Sequence, residues 1–557
     1  MQRKEMVPGW AGALAGLVSG GVALGMAQLV AGVVGPETSP VVAVGDAAVD
    51  LTPAPLKEFA IRTFGESDKT VLVGGVLVVL AVIAAAIGVL ARRARAYGFA
   101  GLSAFGVIGL LAVLTRPDAG ALDVLPTLIG VVAAAWTLSW LLGRAEGGPV
   151  PGSATSGGVA GDGAGVKRSV AGADDGPPVA AGAAEDVGVE RPAVMRAGAE
   201  LRAFDRRRLL TGVAGGVVVA GAATVLGRQL GGRQTVDAAR VGVALPRAAN
   251  PAKPLPAGTD FHINGLSSFI TKNKDFYRVD TALVVPQVEP ADWTLRIHGL
   301  VDRPVELTYD DLLKMPLTEA DVTLTCVSNE VGGPYVGNAR WLGLRMSEVL
   351  RRAGLRSGAD MLLSTSADGF TCGTPVDVVM DGREALFAVA MNGEALPVEH
   401  GFPVRQVVPG LYGYVSATKW VVDVKVTTFD ADEAYWTPRG WSAKGPIKTQ
   451  SRIDVPRPGD SLRAGRTKIA GVAWAQHTGV DAVEVRVDGG QWKQATLAQV
   501  PGPDTWRQWS IDWDLAAGDH TIQVRATDAS GYTQTEQLAP PAPDGATGWH
   551  TVTVQAA

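Results

Sequence analysis

The sequence predicts three consecutive parts: an N-terminal α-helical membrane bundle, a strand-rich α+β domain and a C-terminal β-sandwich of immunoglobulin type. Three observations carry this prediction. Apolar runs almost free of charge, each long enough to cross about 30 Å of hydrocarbon, crowd into the first part of the chain. All six histidines (His262, His298, His400, His477, His520 and His550) fall in the remainder, where the composition becomes that of a soluble mixed protein. Beyond Pro446 the pattern changes again, to repeated strands separated by turns.

The chain has 557 residues, room for several domains, and is 47% hydrophobic but only 19% charged. A formal net charge of −5, with no clustered Lys and Arg on a folded segment, excludes a nucleic-acid binder. Two cysteines, Cys326 and Cys372, exclude a disulfide framework, a four-cysteine zinc site and a cysteine-ligated iron–sulfur cluster. With no histidine among the apolar runs and no Cys-x-x-Cys-His motif, no haem is expected.

Spanning helices are predicted at roughly 10–34, 71–91, 97–115 and 124–143, giving a four-helix membrane anchor over residues 1–143. The connection between the second and third is Arg92-Arg93-Ala94-Arg95, whereas acids outnumber bases between the first and second. By the positive-inside rule the arginine turn and both ends of the bundle are cytoplasmic. Residues 144–205, rich in Ala, Gly and Pro with Phe204 the only aromatic, read as a disordered cytoplasmic linker. Gly161, Gly163 and Gly165 imitate a nucleotide-binding loop, but no strand precedes them and no helix follows.

A fifth apolar run, Leu209 to Gly227, directly follows Asp205-Arg206-Arg207-Arg208. Two readings of residues 206–228 stand side by side: an internal signal resembling a twin-arginine export signal, or an ordinary helix with a basic cytoplasmic flank. Both place everything after Arg228 outside the cytoplasm.

Alternation at Trp293–Gly299 predicts a strand, and Thr308 is placed to cap a short helix whose first turn holds Asp310 and Asp311. Leu344–Ala353 reads as a further helix, and Met361–Ser364, Leu386–Met391, Val404–Val408 and Lys419–Thr427 read as strands. In the terminal part, strands are expected at Thr467–Trp474, Val483–Val487, Trp506–Trp513, His520–Asp528 and Trp549–Val554.

Cys326 ends the predicted strand Val322-Thr323-Leu324-Thr325 and opens the loop Val327-Ser328-Asn329-Glu330-Val331-Gly332-Gly333. Further on stand Met391-Asn392-Gly393-Glu394-Ala395-Leu396-Pro397, His400-Gly401-Phe402-Pro403-Val404-Arg405, Val408-Pro409-Gly410 and Thr418-Lys419-Trp420. With these motifs the chain resembles, over about residues 258–555, the sulfite oxidase family of molybdopterin-dependent oxidoreductases, as a membrane-anchored bacterial member. The resemblance implies a sulfite-oxidase-type molybdopterin-binding catalytic domain at 257–445 and an immunoglobulin-like dimerisation domain at 446–557. It implies a molybdenum held by one pterin dithiolene, with the Cys326 thiolate as catalytic metal ligand and two-electron oxygen-atom transfer as the chemistry.

By the same resemblance His400, Arg405, Thr418 and Lys419 hold the pterin and its phosphate, a guanidinium fork and an ammonium suiting a buried dianion. The family's early cofactor loop corresponds to Phe276-Tyr277-Arg278-Val279-Asp280-Thr281, where its Asn and His are absent, so Arg278, Asp280 and Thr281 carry over by position. Asp368 is a candidate partner for the pterin amine, a turn-forming Asp before Gly being the other reading. The family's substrate arginines are replaced beyond Asn329 by Glu330 and Val331, and its active-site tyrosine aligns with Trp441 near Arg439. Asn329, Arg439 and Trp441 therefore mark a substrate pocket unlike one for sulfite.

Implied partners are the lipid bilayer, an electron-transfer partner (a cytochrome or a quinone) and a second copy of the chain through the sandwich. The competing expectation is a cofactor-free, membrane-tethered binding protein on the same scaffold, in which a Cys326–Cys372 disulfide removes the metal ligand.

Overall fold

The computed structural model describes residues 7–52, 68–116, 119–149, 202–232 and 236–557. Most of the predicted linker lies outside the described residues; its two edges, Glu146–Pro149 and Arg202–Phe204, pair as short antiparallel strands.

Among the described residues, five helices are long and apolar enough to cross a membrane: α1 (Gly9–Val34), Val71–Ala91 within α3 (Asp68–Ala91), α4 (Arg95–Leu114), α5 (Leu125–Ala145) and α6 (Arg206–Gly231). Their small residues are packing devices. A Cβ on Gly12 would come within 2.8 Å of the Gly88 carbonyl, so glycine is what lets α1 and α3 approach there. The last helix is longer than its apolar run: 26 residues span about 39 Å, and Arg206–Arg208 form its first turn. A short helix between the first two spans, α2 (Pro40–Leu51), was not predicted, because Asp46 and Asp50 interrupt its apolar run.

Two five-stranded sheets build the middle domain. The first contains β3 (Thr318–Thr325), β4 (Val336–Arg345), β7 (Leu386–Met391), β8 (Glu394–Ala395) and β9 (Arg405–Val407), with β4 and β9 both pairing antiparallel with β7. In the second, β10 (Val421–Thr427) lies between β1 (Thr294–Gly299) and β5 (Met361–Ser366), with β2 (Val305–Thr308) and β6 (Thr371–Pro375) at the edges. Leu295, Ile297, Leu344, Leu362, Phe387, Val421 and Val424 share one core between them. Thr308 caps the helix Tyr309–Lys314 as expected, its hydroxyl accepting from Asp311 N while the Asp311 carboxylate accepts from Thr308 N.

Boundaries differ where two strands meet a helix or turn. The helix expected from Leu344 begins at Met346 because Leu344 and Arg345 still pair with β7. Lys419 precedes its strand, since β10 begins at Val421.

The terminal part is a two-sheet sandwich: Gln450–Val455, Gly465–Trp474, Arg507–Leu515 and Thr496–Leu497 in one sheet, and Ser461–Leu462, His550–Ala556, Gly518–Asp528, Val480–Val487 and Lys493–Gln494 in the other. Ile453, Ile469, Trp509, Val485, Val524 and Val552 form the core between the sheets. Every long strand predicted there is present, and Gln450–Val455 is an additional one.

Candidate cofactor site

Cys326 stands one residue past β3, which pairs with β4 up to Thr325–Val336. Its loop is closed by backbone and carboxamide bonds: Cys326 N donates to the Tyr335 carbonyl at 3.0 Å, Asn329 N to the Cys326 carbonyl at 3.1 Å, and Tyr335 N to Asn329 Oδ1 at 2.8 Å. Burial pushes the thiol up from its ordinary value, opposed by Ser328 and by the charge of Lys419. Neither cysteine is in a disulfide. The Cys326–Cys372 bond that the competing expectation requires is therefore not formed. Cys372 lies within β6, its sulfur 3.9 Å from the Gly413 carbonyl oxygen, and burial raises its pKa to about 11.

Arg405 and His400 face an aromatic wall. The Arg405 guanidinium lies 5.0 Å over the Trp341 ring, and Phe276 packs edge-on against both Trp341 (5.8 Å) and His400 (5.6 Å). His400 Nε2 meets the Asn273 carbonyl at 3.1 Å; burial, with Arg405 and Lys419 nearby, lowers its pKa to about 3, so the ring is neutral. Arg405 is 5% exposed, and its nitrogens donate to carbonyls of His400 (3.1 Å), Ala417 (3.5 Å) and Gln406 (3.5 Å). Burial lowers its pKa to about 10. The charges that favour its ionised form are a phenol, Tyr277, and a thiol, Cys372, neither of them a carboxylate.

Lys419 donates to Asp280 Oδ2 (2.7 Å) and to the Glu399 carbonyl (3.1 Å), and burial lowers its pKa to about 8 despite that carboxylate. Asp280 also receives Arg278 Nε at 2.8 Å. Asp368 is close enough to feel both Asp280 and Lys419, and burial raises its carboxyl above the usual range. Thr418 is fully buried and exchanges a 2.7 Å hydroxyl bond with Ser364, while its carbonyl accepts from Gln406 N.

The structure thus brings Cys326, His400, Arg405, Lys419, Asp280, Arg278 and Asp368 into one neighbourhood, with Thr418 beneath it and Thr281 half-buried in the same loop as Asp280. Asn329 shapes the Cys326 loop. Arg439 and Trp441 belong to an aromatic layer: Arg439 stacks 3.7 Å over Tyr435, and Trp441 packs against Tyr414 (5.9 Å) and Trp436 (6.0 Å).

One further residue belongs here. Tyr277 stacks on Phe276 at 5.2 Å and lies 6.2 Å from the Tyr335 ring. Burial and the Cys326 charge push its phenol above the ordinary range, and Arg405 pulls the other way. It is therefore close enough to both the sulfur and the guanidinium to feel their charges. The signal was present, since Tyr277 is the second aromatic of the cofactor-loop motif.

A buried guanidinium whose hydrogen-bond acceptors among the described residues are carbonyls is a costly arrangement unless an anion joins it. A deep thiol, an uncompensated arginine and a lysine of depressed basicity fit a sulfur-ligated metal carried on a phosphorylated organic group. The class of domain that this fold and site fit is a molybdopterin-binding one. Residues 282–436 match the family model for the oxidoreductase molybdopterin binding domain. Mitochondrial sulfite oxidase of Rattus norvegicus is 32% identical over 324 residues, covering 49% of this chain and 58% of that protein. Sulfite oxidase of Gallus gallus is 29% identical over 321 residues, covering 49% of this chain and 69% of that protein. An NADH nitrate reductase of Oryza sativa is 28% identical over 319 residues, covering 46% and 35%. The structure of the sulfane dehydrogenase SoxCD from Paracoccus pantotrophus is similar at a TM-score of 0.46 and 26% identity, covering 52% of this chain and 82% of that one. The chain spans a little under three fifths of the length of the mitochondrial relatives it matches. The chain carries the oxidoreductase molybdopterin binding domain and is similar over about half its length to sulfite oxidases, and molybdenum–molybdopterin is the cofactor that this domain implies.

Proposed function

We propose that the chain is a membrane-anchored, extracytoplasmic molybdenum oxidoreductase that moves an oxygen atom with two electrons at a Cys326-ligated centre. The observation that carries this reading is Arg405, a buried cation surrounded by carbonyls within the same pocket as a buried thiol. Residues 257–445 form the catalytic domain, 446–557 an immunoglobulin-like sandwich that pairs two copies, and 1–143 with 206–228 the anchor. The arginine turn after α3 faces the cytoplasm.

In this reading Arg405 and Lys419 bind the pterin phosphate, Thr418 and His400 fix the adjoining edge, and Asp280 holds Lys419 in place. Asp368 accepts from the pterin amine. When bound, the cofactor supplies the two-electron couple and the oxygen-transfer chemistry. Cys326 contributes the protein's thiolate, and the neutral His400 ring keeps a hydrogen-bonding face without adding charge. Tyr277 offers a phenolic donor near Cys326, where the family's usual tyrosine is replaced by Trp441 in sequence. The aromatic layer of Tyr414, Tyr435, Trp436 and Trp441 favours a substrate other than sulfite, and electrons pass to a cytochrome or quinone.

X-ray absorption at the molybdenum edge tests the ligation. The full chain is expected to have three sulfur neighbours, two from the dithiolene and one from Cys326, and a Cys326→Ser variant one fewer. An unchanged sulfur shell in the variant would remove Cys326 from the metal.

A further inference from the structure

The last apolar helix and the cofactor loop are joined by a short path. Val236, five residues past the end of α6 at Gly231, is 1% exposed and shares an apolar cluster with Phe276. Its N–H donates to Gln287 Oε1 at 3.2 Å, at the far end of the same loop. One turn later, in the helix Asp237–Gly242, Arg240 Nη1 donates to the Ala395 carbonyl at 3.0 Å. Five residues reach at most about 18 Å, so the loop lies within that distance of the helix end.

A second contact, from a different stretch of sequence, leads to the same place. A Cβ on Gly45 of α2 would lie 2.7 Å from Leu283 Cδ1, so glycine leaves the room in which this loop side chain packs against α2. Around these attachments stand exposed apolar tips, Val279 at 44% and Val241 at 77%; Arg278, next to Val279, is 38% exposed while paired with Asp280, Arg247 is exposed six residues past Val241, and Asp237 is exposed on the strap itself. A single exposed valine is ordinary. Two of them, one on the strap that follows an apolar helix and one on the loop that packs against α2, match the way a protein surface seats its apolar tips in a headgroup layer.

We infer that the cofactor-loop face, Tyr277–Leu283 with the strap Val236–Arg247, rests on the outer leaflet, and that a lipid surface is its partner. This rests on the membrane-anchored reading above. The strap holds the face there, the valine tips enter the headgroup layer and the arginines meet lipid phosphates.

The test uses the full, cofactor-loaded chain in nanodiscs of phosphatidylcholine and phosphatidylglycerol carrying headgroup nitroxides. An environment-sensitive fluorophore is attached in turn at Val225→Cys in α6, Val241→Cys, Val279→Cys and Gln491→Cys in the sandwich; both native cysteines are buried and remain unlabelled. Labels at positions 225, 241 and 279 are expected to be quenched at least roughly twofold more than the label at 491. Quenching at 225 with 241 and 279 no more quenched than 491 would overturn the docking and leave the anchor standing. No quenching at 225 would overturn the anchor itself, and the docking with it.

Discussion

The cofactor pocket and the sheets beside it treat an arginine and a cysteine oppositely. In the first sheet Arg340 grips Asp321 with two bonds of 2.9 and 2.8 Å, and in the second Cys372 is a wholly buried thiol within a strand. In the pocket, Arg405 has carbonyl acceptors, and Cys326 stands at the open end of a strand. A scaffold satisfies its buried charges from its own chain; a binding site leaves one to be satisfied by its ligand.

That contrast can be broken by substitution. The largest effect is expected for Cys326→Ser, which should abolish turnover with any oxygen-atom donor or acceptor while Cys372→Ser retains it; steady-state assays of both loaded variants decide this. Next come the arginines, read by thermal melts and pterin content. Arg340→Met leaves Asp321 buried and should cost about 3 kcal/mol. Arg405→Met removes an uncompensated buried charge, so it should stabilise the cofactor-free protein by about 1–3 kcal/mol while cofactor retention collapses. Destabilisation of the cofactor-free protein by both variants would erase the difference between the two regions.

Lys419 gives a pH dependence. Its folded pKa, about 8, lies below that of the unfolded chain, so below pH 8 both states carry the proton and the cost of the buried charge is fully present. Between about pH 8 and 10.5 the unfolded state binds more protons, and this group makes folding more favourable as pH rises. Anion binding runs the other way: the affinity of the cofactor-free protein for sulfate, whose charge is constant in this range, should fall about tenfold from pH 7 to pH 9 as the ammonium is lost. Titration calorimetry across that range measures it, with Lys419→Met as the pH-independent control. The smallest effect is expected for Cys372→Ser, about 1–2 kcal/mol in stability with cofactor content unchanged.

Much of this contrast was legible before any coordinates. Cys326, His400, Arg405 and Lys419 lie in short motifs at the ends of strands from the two sheets, His400 and Arg405 in one of them, so that part of the spatial neighbourhood is already local in sequence. Strand alternation likewise located the sandwich strands, since one buried face imposes a period of two. What was hidden depends on contacts between distant segments. The pairing of Lys419 with Asp280, 139 residues apart, cannot be read from either motif. Helix α2 was missed because its apolar run is broken by acids, and α6 was underestimated because its first turn is three arginines. The strap at Val236 carried no assignment from the sequence, and only its burial against Phe276 makes it part of the domain.

The central claim is that the pocket is built around a bound molybdenum cofactor, and the most direct measurement is the molybdenum and oxidised-pterin content of the purified full chain, with Arg405→Met alongside. The account predicts about one molybdenum and one pterin per chain, both lost in the variant. Neither group in the native protein would contradict it.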